Sequence, residues 1–590
     1  MTPKPALPAE GSRLAPTVLI GWGVAALVLT LVSLPQIIHL WLPDPDDAMR
    51  LVEVRDWTGG QSWWDVSQHR LWGGQFQMHW SRLVDLPLAL VTTIFTPLAG
   101  TWWAERIALT AVPLITLLAV IALGAELTRR VAGLERARMA VLLAPLSVPL
   151  IYQLRPMRID HHGWQIALAL AAVVALLGKP NARSGAFVGL ALAALLTVSL
   201  EGLPITAAIL GVMLLAWVVD SSRREQAITA SATLVVGVSI LHLATRGPAI
   251  MAFACDAIAP VWIAALAVGA LGACAAMLVP RAGVMARVAM LAVAGVAALA
   301  VILVNAPVCA KGPFGTLDPL VYNFWYRNVS EGLPLWDQML PWALMTISFP
   351  IVGLIGGVLA WRETEGEERA RWTMMLALAG LAFALSIFII RTGATANALA
   401  LPGGAWLLHA LLTRARAISA IPMRTLATAG ALLAATPGLI ASALFGLPIG
   451  TGSTPVPVMT GTTVPPCNQG HEIADLAVLP ASTLFAPLDV SPNLLAWTPH
   501  KAIGSGYHRN AESIHRVLAT FLGSPEAAYS AVHASNAAYV VGCPGANETE
   551  IYKSAAPNGF WARLERGERF DWLQPVAIPG SPVLVWKVIR

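Results

Sequence analysis

Long apolar segments recur along the chain from Val18 to Phe445. Runs of about 17–22 such residues are long enough to cross a hydrocarbon core roughly 30 Å thick. The first run, residues 18–42, is too long for the apolar part of a signal peptide and lacks a small-residue cleavage site, so we interpret it as a retained helix. With 56% hydrophobic and 12% charged residues, the chain is not an ordinary soluble globule. The sequence therefore predicts a polytopic α-helical membrane protein.

Lysine and arginine assign a side to each loop, because short cytoplasmic loops are enriched in these residues. Placing the basic loops inside requires that the apolar segment 83–98, which contains Asp85, Pro87 and Pro97, does not cross. We expect it to lie along the outer interface, within a long first outer loop of about 43–105. The predicted spans, about thirteen by this rule, are residues 18–42, 106–127, 139–155, 163–178, 186–203, 204–219, 226–244, 258–279, 286–304, 340–361, 372–390, 393–412 and 425–445.

The chain is predicted to have two domains, a membrane domain of residues 1–445 and a soluble domain of residues 446–590. The soluble domain is expected outside, on the same side as a second long loop, residues 305–338. It opens with a Pro/Thr/Gly-rich linker, residues 448–466, and continues with helix-like and strand-like patterns typical of a small α/β domain. The cationic residues lie in short loops between spans, which favours membrane topology over nucleic-acid binding.

The five cysteines lead to three expectations. Cys255 and Cys274 lie in apolar surroundings and are predicted to be buried packing residues. Cys467 and Cys543 both lie in the soluble domain, where an oxidising compartment would permit a disulfide between them. Cys309 lies in a loop and is predicted to be a free thiol.

The first of three polar clusters follows the first span directly. The sequence LPDPDDAMR places Asp44, Asp46 and Asp47 at the predicted membrane edge. Carboxylates favour the first turn of a helix, so these residues could also be ordinary helix N-terminal acids. The cluster alone does not decide between chemistry and helix capping.

The second cluster joins two spans and reads Arg158-Ile-Asp160-His161-His162. Ionisable residues at such a position are costly and usually functional or paired. A carboxylate and an imidazole are suitable ligands for a divalent cation such as Mn²⁺ or Mg²⁺, which also takes oxygens from a phosphate. Together with the aspartates on the same side, this cluster predicts a metal site on the outer face.

The third cluster lies in the second long loop, where Glu331 follows Tyr326 and Asn328. A solvated loop acid is the simplest alternative for Glu331. Arg391 lies at the outer end of a span, where a guanidinium suits a phosphate, although an interfacial cation would have the same position. Glu201, at another outer span end, is either an interfacial acid or a pocket residue.

Taken together, the motifs resemble those of the catalytic subunit of oligosaccharyltransferases, which are membrane glycosyltransferases of the GT-C class. The long first outer loop and the external C-terminal domain are similar too. One difference is that the family's Trp-Trp-Asp-Tyr-Gly motif, which reads the acceptor Ser/Thr, is absent from the tail. The matching motifs are Asp44-Pro45 with Arg50, Asp160-His161-His162, Ser330-Glu331 and the position of Arg391.

The resemblance implies a metal-dependent enzyme that transfers a sugar or oligosaccharide from a polyprenyl-phosphate or polyprenyl-diphosphate carrier. The acceptor would be a protein, lipid or glycan outside the membrane, and a bacterial inner membrane with a periplasmic catalytic face is expected. Asp46 or Asp47 would activate the acceptor, and Glu331 would close over the site. The implied residues are Asp44, Asp160 and His162 for the Mn²⁺ or Mg²⁺ ion, Asp44, Asp46, Asp47 and Glu331 for catalysis, and Arg158, His161, Tyr326 and Arg391 for substrate binding.

Three alternatives remain open at this point. A related GT-C enzyme could transfer one sugar to a lipid or a surface polysaccharide, and the missing acceptor motif leaves room for this. A transporter would need polar residues or broken helices near mid-membrane and often internal repeats. The polar clusters stand at span ends instead. A non-catalytic scaffold that keeps the fold is the third alternative.

Overall fold

The computed structural model describes residues 14–74, 76–445, 467 and 470–590. It has a large helical region followed by a small α/β domain, as predicted. The predicted domain boundary at residue 446 and the predicted linker, residues 448–466, lie outside the described residues.

The helical region contains eighteen described α-helices and a short hairpin in the first long loop. Their bounds are α1 (Ala15–Val32), α2 (Leu34–His39), α3 (Pro45–Thr58), β1 (Ser67–Gln68), β2 (Phe76–Gln77), α4 (Arg82–Ala132), α5 (Leu134–Leu143), α6 (Val148–Leu154), α7 (His162–Leu176), α8 (Ala182–Val198), α9 (Leu203–Val219), α10 (Arg224–Arg246), α11 (Pro260–Leu278), α12 (Val284–Asn305), α13 (Pro319–Phe324), α14 (Leu340–Glu363), α15 (Gly366–Phe388), α16 (Gly393–Arg416), α17 (Ile421–Ala435) and α18 (Pro437–Phe445).

A helix or a bent helix pair occupies each predicted span. Among the described residues, eight helices are long and apolar enough to cross a membrane, or up to ten if each of two bent pairs is one span. The bent pairs are Leu134–Leu146 with Val148–Leu154, and Ile421–Ala435 with Pro437–Phe445. Helices α7 and α8 are shorter apolar helices. The protein is therefore a multi-pass α-helical membrane protein, and the count of about thirteen spans stays a prediction.

The segment predicted to lie along the interface forms the first part of α4. The helix is broken at Gly100, whose φ of 77° lies in the left-handed region that favours glycine. The break separates residues 82–99 from the apolar stretch that continues to Ala132. Whether the first part avoids crossing the membrane stays a prediction, but it begins with polar residues that are buried inside the protein.

Those polar residues attach α4 to α3. Helix α3 begins at Pro45, and its N-cap Asp44 accepts a hydrogen bond from the Asp46 N–H at 2.9 Å. Further along α3, the guanidinium of Arg50 is fully buried, and its Nη1 lies 2.7 Å from Asp85 Oδ1 of α4. A buried charge is tolerated only when it is paired, so this contact determines how α3 lies against α4.

The C-terminal domain is a five-stranded mixed sheet with helices around it. The strand order is β4-β3-β5-β7-β6, in which β4, β3 and β5 are parallel and β7 and β6 are antiparallel. The predicted α/β class of this domain is therefore confirmed. Its elements are α19 (Gly470–Ala474), β3 (Thr483–Phe485), α20 (Val490–Trp497), β4 (Lys501–Ala502), α21 (Ala511–Leu522), α22 (Pro525–Ala534), β5 (Tyr539–Gly542), α23 (Asn547–Ala555), α24 (Phe560–Glu565), β6 (Leu573–Val576) and β7 (Leu584–Val588).

The domain packs directly on the first long loop. Buried apolar side chains of that loop, including Met49 and Trp80, share one core with Leu494 and Tyr507 of the domain. Ion pairs add to this contact, because Asp256 in the α10–α11 loop accepts hydrogen bonds from two residues that precede α21. These contacts hold the C-terminal domain against α3.

The structure contains two disulfides, one predicted and one not. Cys467 and Cys543 are bonded, which confirms the expectation for the soluble domain. Cys309 was expected to be a free thiol and Cys255 a packing residue, and both expectations are wrong, because the two form a disulfide with Cα atoms 5.0 Å apart. The loops that follow α10 and α12 meet there. Cys274 is the free cysteine.

We predict that Asp85→Ala lowers the free energy of unfolding by about 3–5 kcal/mol, since it leaves the buried Arg50 charge without its main partner. Thermal unfolding of the purified protein in detergent measures the change. The matched control is Glu135→Ala, which removes an exposed ion pair with Arg138 and should change the stability by less than about 1 kcal/mol. Equal effects of the two substitutions would contradict the prediction.

Candidate active site

The three polar clusters predicted from the sequence meet around one buried guanidinium. Arg158 Nη1 lies 2.9 Å from Asp47 Oδ2 and 3.4 Å from Asp44 Oδ2. Its Nη2 lies 3.8 Å from Asp160 Oδ2 and 3.9 Å from Glu331 Oε2. One cation therefore offsets the repulsion of four carboxylates that come from three distant segments.

Asp47 holds the second cluster in place. Its Oδ1 accepts hydrogen bonds from the backbone N–H groups of Ile159, at 2.8 Å, and Asp160, at 3.0 Å, while Oδ2 faces Arg158. Burial raises the pKa of Asp47 to about 6, although Arg158 opposes the shift. Because its oxygens are occupied and it is completely buried, Asp47 positions the second cluster, and its predicted role in activating the acceptor stays a prediction.

Asp46 is the other residue predicted to activate the acceptor, and it lines an open cavity. Burial and the neighbouring carboxylate of Asp44 raise its pKa well above the usual value. A carboxylate with a raised pKa that faces a cavity is better suited to accept a proton than one whose oxygens are bonded within the protein. Of the two predicted candidates, the geometry favours Asp46 over Asp47.

Two buried ligand atoms point to a metal ion. Asp160 Oδ1 accepts a hydrogen bond from the His161 N–H at 2.7 Å. By contrast, Asp160 Oδ2 and His162 Nε2 make no hydrogen bond to a described residue, although they face each other at 3.2 Å as an ion pair. Buried polar atoms without a hydrogen bond need an explanation, and a carboxylate oxygen beside an imidazole nitrogen suits a divalent cation such as Mn²⁺. The residues present therefore fit the predicted metal.

The predicted ligand set is only partly brought together. Ligand atoms of Asp160, His161 and His162 lie within 4.8 Å of one another, and Asp44 is outside this group. Asp44 uses Oδ1 to cap α3 and turns Oδ2 toward Arg158. His161 was predicted to bind substrate, but its Nδ1 lies 2.5 Å from Asp160 Oδ1 and its Nε2 3.3 Å from Glu201 Oε2. With both nitrogens engaged, His161 orients Asp160 instead.

Glu331 lies among three cationic or partly cationic side chains. Its carboxylate oxygens are 3.8 Å from His162 Nε2, 3.9 Å from Arg158 Nη2 and 3.8 Å from Arg391 Nη1. Burial raises the pKa of Glu331, but Arg391 and the other partners outweigh burial and bring it to about 2. The structure therefore places Glu331 inside the cluster as an ionised carboxylate with cationic neighbours, whereas a solvated loop acid would face water.

Arg391 and Glu201 form an ion pair next to Glu331. The side chain of Arg391 is only 13% exposed, so it is not a cation extended to the membrane interface. Glu201, which the sequence left undecided, belongs to the site through Arg391 and His161. Tyr326, predicted to bind substrate, packs against Phe314 with ring centroids 4.6 Å apart and the rings tilted by 32°, and it lines neither of the two cavities that flank the cluster.

Two cavities flank the cluster. The larger, about 200 Å³, lies between both long loops and the C-terminal domain and is reached by Asp44, Asp46 and Glu331. The smaller, about 40 Å³, lies between the helices and combines polar and apolar walls. Its lining residues include His162, Gln165, Glu201 and Arg391 on the polar side and Ile166, Ile205 and Leu385 on the apolar side.

A second group, in which His79, Asp256 and His508 lie together, has ligand atoms at comparable spacing. Both oxygens of Asp256 are already engaged by Arg509, at 2.7 Å each, and Oδ2 also by His508 at 2.6 Å. This group is explained as an ion-pair contact between the C-terminal domain and the loops.

Asp160→Asn and His162→Ala are each expected to weaken Mn²⁺ binding by more than about tenfold. Substitution of residues that only hydrogen-bond to a metal ligand already lowers metal affinity by about 10–100-fold, and loss of a direct ligand should lower it at least as much. Isothermal titration of metal-free protein with Mn²⁺ measures this. His69→Ala is the control, since the partners of this exposed histidine among the described residues are Asp65 and Gly74 of its own loop. Unchanged Mn²⁺ affinity in both variants would exclude these two side chains as ligands.

Comparison with known proteins identifies a fold. No family model matches the chain, and no curated protein matches it. The oligosaccharyltransferase AglB from Archaeoglobus fulgidus, in complex with an inhibitory peptide and a dolichol-phosphate, superposes with a TM-score of 0.65 at 14% identity, over 89% of this chain and 69% of that chain. The same organism's oligosaccharyltransferase, tethered with an acceptor peptide containing the NVT sequon, gives a TM-score of 0.60 at 14% identity, over 97% and 74%.

A third structure of the Archaeoglobus fulgidus enzyme, in complex with Zn and sulfate, gives a TM-score of 0.56 at 15% identity, over 88% of this chain and 67% of that chain. The similarity spans both the helical region and the C-terminal domain, and these neighbours are glycosyltransferases of the GT-C class. Their low identity fits a divergent sequence. This chain has the GT-C membrane glycosyltransferase fold, as the motifs led us to expect.

Proposed function

We propose that the protein is a metal-dependent membrane glycosyltransferase that moves a sugar or oligosaccharide from a polyprenyl-phosphate or polyprenyl-diphosphate carrier to an extracytoplasmic acceptor. The observation that carries this proposal is the position of the polar cluster between two cavities. One cavity opens among the helices and the other below the soluble domain. A lipid-linked donor must approach from the membrane and a water-soluble acceptor from the opposite side.

The structural neighbours support this choice of substrates by analogy of fold. The archaeal enzyme binds dolichol-phosphate and an inhibitory peptide in one structure, and Zn and sulfate in another. A lipid phosphate, an acceptor and a divalent metal are the three components that the cluster and its cavities would accommodate here.

Arg391 is proposed to bind the donor phosphate. Its guanidinium lines the smaller cavity, and Glu201 and Glu331 hold it there. A planar guanidinium binds phosphate oxygens through two parallel hydrogen bonds, and partial burial strengthens that contact. The apolar wall of the same cavity, which includes Ile205 and Leu385, suits the first part of a polyprenyl chain.

Asp160 and His162 would hold the metal, with Asp44 and Glu331 as further oxygen ligands. When bound, the metal would act as a Lewis acid that neutralises charge on the leaving phosphate. Arg391 stabilises the same charge from the protein side. Asp46 accepts the proton of the acceptor nucleophile as the bond from the sugar to the phosphate oxygen breaks and the bond to the acceptor forms.

The disulfides support an extracytoplasmic position for the site. Cys255–Cys309 joins two loops close to Asp256, which contacts the C-terminal domain, and Cys467–Cys543 lies in that domain. Disulfides persist in oxidising compartments and are rare in the cytosol. Together with the predicted cytoplasmic side of the basic short loops, they support an extracytoplasmic site, and we place the protein in a bacterial inner membrane with that site in the periplasm.

The proposal predicts that transfer from a polyprenyl-linked donor by purified protein in detergent stops when EDTA is added and resumes with excess Mn²⁺. The donor is a lipid-linked oligosaccharide pool from the expression host, and transfer is followed by gel mobility and mass spectrometry of products. Transfer that continues at the same rate in EDTA would contradict metal dependence.

Arg391→Ala is expected to lower kcat/KM for the lipid-linked donor by about 10²–10³-fold, because removing one hydrogen-bonding group that faces a developing oxyanion has an effect of about that size. Arg371→Ala is the matched control, because Arg371 lies near the N-terminal end of α15, whereas Arg391 lies just after its C-terminal end. The control should retain activity. Equal activity of the two variants would contradict the assignment of Arg391 to the phosphate.

A further inference from the structure

The larger cavity has a charge of one sign. Five carboxylates line it, from both long loops and from the C-terminal domain, and its lining residues include no lysine, arginine or histidine. Two aromatic residues and three asparagines complete its polar surface. The lining residues used below are Asp46, Trp325, Asp489, Asn493, Tyr507 and Glu548.

Three of the five carboxylates are already engaged within the protein. Glu548 accepts hydrogen bonds from the N–H groups of Leu488 and Asp489, at 2.8 Å each, and from the Tyr552 hydroxyl. Glu331 and Asp44 face Arg158 and belong to the catalytic cluster. A fourth, Asp46, makes a side-chain hydrogen bond with Tyr507, so Asp489 is the carboxylate of this set that is left to meet a ligand.

Asp489 and Asn493 form a polar pair on the C-terminal domain. They are four residues apart at the start of α20, so they share one side of that helix. Neither side chain has a hydrogen-bond or ion-pair partner among the residues that the structure describes. Asn493 is only 7% exposed and its side chain lines the cavity, where a bound group can supply hydrogen-bond partners for the carboxamide.

We infer that this pair recognises the acceptor, and that the acceptor group in the cavity is an uncharged sugar ring. The inference rests on the proposed function and specifies its acceptor. A carboxylate accepts hydrogen bonds from hydroxyl groups, and a carboxamide both donates and accepts them. Trp325 lines the same cavity and offers apolar surface to a ring, and Asp46, the proposed base, is part of the same wall.

Other acceptor classes fit the cavity less well. A phosphate or uronate would meet carboxylates with no cation among the lining residues, and like charges brought together cost several kcal/mol. Peptide binding by strand addition is excluded, because that mode needs an exposed sheet edge and no residue of the five-stranded sheet lines the cavity. The volume of about 200 Å³ is below the roughly 300–1,000 Å³ of drug-sized sites, which suits a single ring.

The test is direct binding to the full-length protein in detergent with EDTA present, measured by saturation-transfer NMR titration. The probes are methyl α-glucopyranoside, its uronate, its 2-amino analogue and the capped peptide Asn-Ala-Thr. We expect the neutral glycoside to bind and the uronate not to bind. Asp489→Asn should weaken the neutral glycoside about tenfold, by loss of a charge-assisted hydrogen bond, and should reduce the discrimination against the uronate.

Asn493→Ala is the second variant and should also weaken the neutral glycoside, with the melting temperature recorded for each protein. The matched controls are Asp571→Asn and Asn558→Ala, exposed residues of the same domain that do not line the cavity. Preference for the peptide or the amino sugar, equal binding of the uronate, or no binding of any probe would overturn the inference. Because these measurements use neither donor nor metal, failure of the proposed transfer reaction is scored separately in the EDTA experiment.

Discussion

The buried carboxylate of Asp47 is the interaction on which the rest of the site depends. It belongs to α3 in the first long loop, yet it accepts hydrogen bonds from two backbone N–H groups of the second cluster and pairs with Arg158. Because these partners are buried, removing the carboxylate would leave two amide groups unsatisfied and would take from Arg158 its shortest ion pair. This one side chain therefore determines where Asp160 and His162 lie relative to Asp44 and Asp46.

Charge balance explains why so many ionised groups can share a partly buried space. Carboxylates and guanidiniums alternate from Asp47 through Arg158 to Glu331, and from Glu331 through Arg391 to Glu201. The balance is incomplete at Asp160 Oδ2 and His162 Nε2, which lack hydrogen-bond partners among the described residues. A dication next to these atoms would complete it, which is why the metal is central to our account.

The sequence was sufficient to predict what depends on local pattern. Apolar runs predicted the helices, and polar residues at span ends on one side predicted that Asp44, Arg158, Asp160 and Glu331 would meet. Local pattern does not specify the direction in which a side chain points. The sequence therefore predicts that Asp47 and His161 contact the substrate, whereas in the structure their polar atoms contact other protein groups. Nor does it contain pairings between distant segments, such as Arg391 with Glu201, 190 residues away, or the Cys255–Cys309 disulfide. The Asp489–Asn493 pair follows the same reasoning, because it becomes a cavity wall only when the C-terminal domain packs over α3.

The measurement that tests the central claim most directly is the anomalous difference density of crystals grown with Mn²⁺. Our account predicts a peak within bonding distance of Asp160 Oδ2 and His162 Nε2, with Arg391 facing the same space. A peak beside His79 and His508 instead, or no peak next to Asp160 at saturating Mn²⁺, would contradict the assignment of the three clusters to one metal-dependent active site.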